Sequence, residues 1–138
     1  MAPKVLVADI PEMDQTIRDC LPGNELQFVR TLPEAIAALR RGAYHLIVIG
    51  LHFDESRMFE LLGFVRGLEC YRDVPVICVH GTDSGLSRGV MKSIDVAVKA
   101  LGGTALLDLR ERSPALREHC SFLERAADAG GAGLQSLN

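Results

Sequence analysis

Five short apolar runs recur along the chain, at 5–8, 26–29, 45–49, 74–79 and 104–107, each of strand length. The third and fourth are apolar and β-branched at successive positions, so both of their faces need cover. That is the pattern of central strands in a parallel sheet clothed by helices. Between the runs the apolar spacing switches to the helical period. Met13, Ile17, Cys20 and Leu21 form one stripe, and Leu32, Ala35, Ile36 and Leu39 a second. Met58, Leu61, Leu62, Val65 and Leu68 form a third stripe; a fourth helix is predicted from Leu86 to Leu101, stopped by Gly102 and Gly103. A fifth opens at Ser113-Pro114 and carries Leu116, Cys120 and Leu123. Thr31-Leu32-Pro33-Glu34 reads as a capping box with proline in the first turn, which marks the start of the second helix. Strict alternation of strand and helix, five times over, predicts a doubly wound α/β fold: a five-stranded parallel sheet with five helices, its crossovers right-handed.

The 138 residues, 48% hydrophobic, allow one well-filled core and leave no room for a second. The domain is expected over residues 1–127, followed by a flexible tail at 128–138, where glycines interrupt the apolar period. The net charge of -3, with basic pairs only at Arg40-Arg41 and Arg110 with Arg112, speaks against direct nucleic-acid binding. Cys20, Cys70, Cys78 and Cys120 contain no C-x-x-C spacing, so buried free thiols are expected. With neither a signal-peptide pattern nor an apolar stretch of membrane-spanning length, a cytoplasmic protein is expected, with no membrane association.

In such a fold ligands and chemistry collect at the carboxyl ends of the strands. The first of these loops, 8–14, has no glycine, so the dinucleotide and nucleotide-hydrolase phosphate loops are absent, as are the flavodoxin and cobalamin motifs. No nucleophile elbow or Cys beside a base occurs either, and no enzymatic activity is expected. Lys4-Val5-Leu6-Val7-Ala8-Asp9, the run from Tyr44 to Gly50 with Met58-Phe59-Glu60-Leu61-Leu62 downstream, Asp73-Val74-Pro75-Val76-Ile77, and Ala100-Leu101-Gly102-Gly103-Thr104 occur in an order and spacing that resembles the CheY-like receiver domain of response regulators. The resemblance covers about Lys4 to Leu123 and implies a strand order of 2-1-3-4-5 and a role in two-component, phosphorelay signalling.

The same resemblance places the phosphoacceptor at Gly50, which has no nucleophile, and leaves Asp9 alone of the acidic pair, because Ile10 takes the second place. Phosphoryl transfer rests on positioning and charge neutralisation, and one carboxylate holds magnesium poorly, so no cofactor is expected. The switch pair reads His80 and Leu106, and the charge-balancing lysine near Asp108 and Leu109 is missing. Together these point to a degenerate, or pseudo-receiver, member. Two alternatives stay open. Asp54 could be a displaced acceptor, although a cap on the third helix, with Ser56, is the simpler reading. Asp9, His52, Asp54 and His80 could form a metal or small-ligand sensor, although no tight ligand pair occurs. The fourth helix is more apolar than one buried stripe requires. Val90 and Val96, with Phe122 on the fifth, are the expected surface for a protein partner or a homodimer.

Overall fold

The computed structural model describes residues 3–82, 85–110 and 115–136. Its strands are β1 (Lys4–Ala8), β2 (Glu25–Val29), β3 (Leu46–Gly50), β4 (Val76–His80) and β5 (Ala105–Asp108). Its helices are α1 (Asp14–Cys20), α2 (Leu32–Arg41), α3 (Met58–Gly67), α4 (Arg88–Ala100) and α5 (Leu116–Ser136), with short 3-10 turns at Pro11–Met13 and Glu69–Tyr71. All pairings are parallel and the order is β2-β1-β3-β4-β5, the expected topology.

Alternation along the strands divides the core into two layers. Leu6, Ala8, Ile47, Ile49, Val76 and Cys78 face Ala35, Ala38 and Leu39 of α2, Leu61, Leu62 and Val65 of α3, and Val98 of α4. Val5, Val7, Leu46, Val48, Ile77 and Val79 face Ile17, Cys20 and Leu21 at α1 and Leu123 and Ala127 of α5. β3 and β4 are buried along their whole length, as their unbroken apolar runs require.

The last three strands end one residue beyond their apolar runs, because backbone pairing sets the limit: Gly50 pairs with Val79, and His80 with Asp108. This carries Gly50, His80 and Asp108 onto the sheet edge. The predicted capping box is present, with Thr31 and Glu34 bonding each other's backbone N-H groups. α4 starts two residues later than expected, because the Ser87 hydroxyl accepts the Val90 N-H at 3.2 Å and so fixes the cap. It ends where predicted: Gly102 turns with φ +94°, and a side chain on Gly103 would run into Val98.

Two expectations change. The Ser113-Pro114 start of the fifth helix lies outside the described residues, but α5 continues to Ser136, well past residue 127. Gly130 is buried against the His45 carbonyl, where any side chain would collide, so a glycine that looked like the start of a tail is a packing contact. The four cysteines are also not all buried thiols. Cys20 and Cys120 form a disulfide between α1 and α5, and Cys70 is exposed, leaving Cys78 as the buried free thiol. A separation of 100 residues conceals this pair, which only the shared sheet face brings together.

Candidate functional site

The carboxyl edge of the sheet gathers Asp9 after β1, Gly50 at the end of β3, His80 at the end of β4 and Asp108 at the end of β5. Asp9 is 3% exposed. Its Oδ1 accepts the Ile10 N-H at 2.8 Å, and its main-chain carbonyl accepts from the Arg30 guanidinium at 3.1 Å. A methyl group built on Gly50 would fall inside the Asp9 carboxylate. The glycine is therefore not followed by an empty niche, because the neighbouring acid occupies the space a side chain would need. Burial pushes the Asp9 carboxyl up to about 7, against the lowering effects of the Ile10 N-H and Arg30.

Arg30 and Asp14 form a two-pronged ion pair across the β1 and β2 ends, one prong at 2.8 Å, and the guanidinium also lies over the Phe28 ring. No motif in the sequence marks either residue. The available signal was positional, since each directly follows a strand or strand loop at the edge where sites assemble.

The loop from Leu51 to Arg57 has three consecutive non-glycine residues in the left-handed region, Asp54, Glu55 and Ser56, at φ 43°, 56° and 70°. This turn sends the Asp54 carboxylate to α2, where Oδ2 accepts the Leu32 N-H at 2.8 Å. The expected cap on α3 is thus corrected: Arg57 stands at its start with no side-chain cap, and Asp54 serves the first turn of α2 instead. Ser56 does not cap α3 either.

His80 is 3% exposed. Burial lowers its pKa, and Arg110 lowers it further. Arg110 is held by Asp108 at 2.7 Å, and that contact holds the Asp108 carboxyl below its usual range. The His52 ring stands edge-on to His80 with centroids 6.3 Å apart, and its Nε2 is buried without a hydrogen-bond partner among the described residues. Among the described residues no three His, Cys, Asp or Glu side chains gather closely enough to hold a metal ion, so Asp9, His52, Asp54 and His80 do not assemble as a metal site. Leu106 packs against the α2, α3 and α4 layer rather than opening a pocket.

Among the described residues, the exposed large apolar ones are Leu86 (39%), Val90 (45%), Val96 (59%) and Leu101 (45%), all at or beside α4. Phe122, expected to join them, packs against the opposite layer beside Leu123. Its position on α5 turns it toward the β-sheet face shared with α1, away from α4. Among the described residues no helix is long and apolar enough to cross a membrane.

Neither a protein-family model nor a curated protein sequence matches the chain. Solved structures do. The phosphorylated cyanobacterial phytochrome response regulator RcpA superposes with a TM-score of 0.67 at 17% identity, covering 91% of each chain. The chemotaxis response regulator CheY4 of Vibrio cholerae gives 0.69 at 22% identity over 91% of this chain and 99% of that one. The response regulator Rcp1 in its Mn(2+)-bound form gives 0.69 at 16% identity over 88% and 91%. With strand order, helix placement and these superpositions in agreement, the chain has the flavodoxin-like fold of CheY-type receiver domains.

Proposed function

We propose that the chain is an atypical receiver module of two-component signalling that works by protein-protein contact without phosphoryl transfer. The observation that carries this reading is the Asp9 carboxylate lying in the side-chain space of Gly50, at the end of the strand where the resemblance places the acceptor. Restoring an acceptor there would require Asp9 to leave its Ile10 N-H. The residues present also do not fit a divalent cation. Asp9 is one buried carboxylate with the apolar Ile10 beside it, a single acidic ligand where such a cation takes several oxygens. These two features support the pseudo-receiver reading, and the exposed apolar residues of α4 are its candidate contact surface.

The displaced-acceptor alternative has Asp54 against it, since its carboxylate already accepts the Leu32 N-H and lies 3.9 Å from Arg57. The deciding experiment is intact-protein mass spectrometry after incubation with acetyl phosphate and magnesium, on wild type, Asp54→Ala and Asp9→Ala. Unmodified protein in all three is the expected result. A phosphoryl adduct present in wild type and lost only in Asp54→Ala would replace this reading with a rearranged phospho-switch.

A further inference from the structure

The Cys20–Cys120 bond plays no part in the reading above. Cys20 closes α1 and is buried at 1% exposure; Cys120 lies one turn into α5 and is half-buried, the more exposed residue of the two. The two Cα atoms stand 4.6 Å apart, within the span a disulfide bridges without moving backbone. Among the described residues, few other contacts fix this end of α5. His119 Nδ1 meets the Asp108 carbonyl at 2.8 Å, and Leu116 and Phe122 are only partly buried, whereas the firmly packed residues Leu123, Ala127 and Gly130 lie further along. The remaining thiols do not compete for the pairing. Cys78 is enclosed in β4 with its pKa pushed up to about 12 by burial, and Cys70 is exposed in the turn after α3, which packs on the opposite face of the sheet.

We propose that Cys20 and Cys120 form a reversible redox clamp that fastens the first turns of α5 to α1, so that thiol–disulfide exchange sets how firmly α5 is held. The oxidant is a low-molecular-weight disulfide. Two protein thiols and one small disulfide yield the protein disulfide and two small thiols, with two electrons passing to the small disulfide and both thiol protons retained on the products. Reduction starts with a small thiolate attacking the sulfur of Cys120, the less buried residue, and releasing Cys20; a second thiolate then takes the small thiol off Cys120 as a small disulfide.

The test uses the whole chain equilibrated in graded ratios of reduced to oxidised glutathione. It is then alkylated in denaturant for thiol counting by mass, in parallel with native hydrogen exchange resolved to α5. Expected results are a Cys20–Cys120 disulfide at the oxidising end, with Cys78 alkylated and Cys70 either alkylated or carrying glutathione, and four alkylated cysteines at the reducing end. The transition should be reversible, with amide exchange in residues 116–122 at least tenfold faster when reduced and exchange in β3 unchanged. Cys70→Ser should keep this response. Cys20→Ser and Cys120→Ser should each exchange like the reduced wild type at every ratio. Four alkylated cysteines at the oxidising end would overturn the proposal, as would identical α5 exchange in both states. Because the wild-type comparison stands alone, a variant that folds poorly does not decide the matter.

Discussion

Asp9 and Gly50 are one unit of structure seen from two positions. Either residue alone reads as a remnant: an acid without its partner, a glycine where a nucleophile is expected. Together they are complementary, because the absent side chain makes the room that the buried carboxylate fills. Gly50→Ala should therefore cost about 1–3 kcal/mol by overpacking, and markedly less in an Asp9→Ala background. A double-mutant cycle of urea denaturation measures the coupling; strict additivity would show that the two do not share the space. The same burial makes Asp9 a pH-dependent liability. Its folded pKa of about 7 lies above the unfolded value of 3.8, so the folded state holds the extra proton and the associated stability is complete below 3.8 and lost as pH rises through 7. Wild type should lose about 2–3 kcal/mol between pH 5 and pH 8 relative to Asp9→Asn, whose neutral amide does not titrate. Parallel urea titrations at the two pH values check the sign: a gain with rising pH would mean that the carboxylate is ionised and satisfied in the fold.

At the scale of elements, regular segments were legible in sequence and the connections were not. Five strands, five helices and the Thr31–Glu34 cap follow from local spacing, because periodicity and capping are properties of neighbouring residues. The course of the loop after β3 does not follow from its residues, since nothing local favours Asp54, Glu55 and Ser56 all in the left-handed region. What offsets that cost is long-range, the Asp54 carboxylate on the α2 N-terminus 22 residues away. Ser56→Gly should accordingly raise stability by about 0.5–1 kcal/mol, as glycine takes φ 70° without penalty. Asp54→Ala should lower it by about 1–2 kcal/mol through the lost cap. If Ser56→Gly instead destabilises in chemical denaturation, its side chain is contributing something the backbone geometry does not reveal. Arg66 was equally invisible as a joint. From α3 it donates to the carbonyls of Tyr71 at 2.8 Å, Val74 at 2.9 Å and Gly102 at 2.7 Å, joining turns that are remote in sequence. The site was legible only in part for the same reason: Asp9, Gly50 and His80 sit where strand ends put them, while Arg30 and Asp14 are recognised only once β1 and β2 are side by side.

For the whole molecule, the two helical layers are held differently. The layer of α2, α3 and α4 leaves apolar residues of α4 facing solvent, whereas the layer of α1 and α5 is covalently joined. The cross-link encloses most of the chain, its ends 100 positions apart, so its chief effect falls on the unfolded state, which it keeps compact. Among the described residues, Leu123 and Ala127 are the fully buried apolar side chains that α5 adds to this layer. Reduction should lower the unfolding free energy by about 2–4 kcal/mol. It should also raise the dependence on denaturant, because the reduced unfolded chain exposes more surface than the tethered one. Guanidinium titrations with and without dithiothreitol, on wild type and on Cys70→Ser, separate this from any effect of the exposed thiol. A lower midpoint with a steeper slope in both proteins is the expected pair of changes. An unchanged slope would mean that the tether does not compact the unfolded chain, and an unchanged midpoint would mean that α5 is held by packing alone.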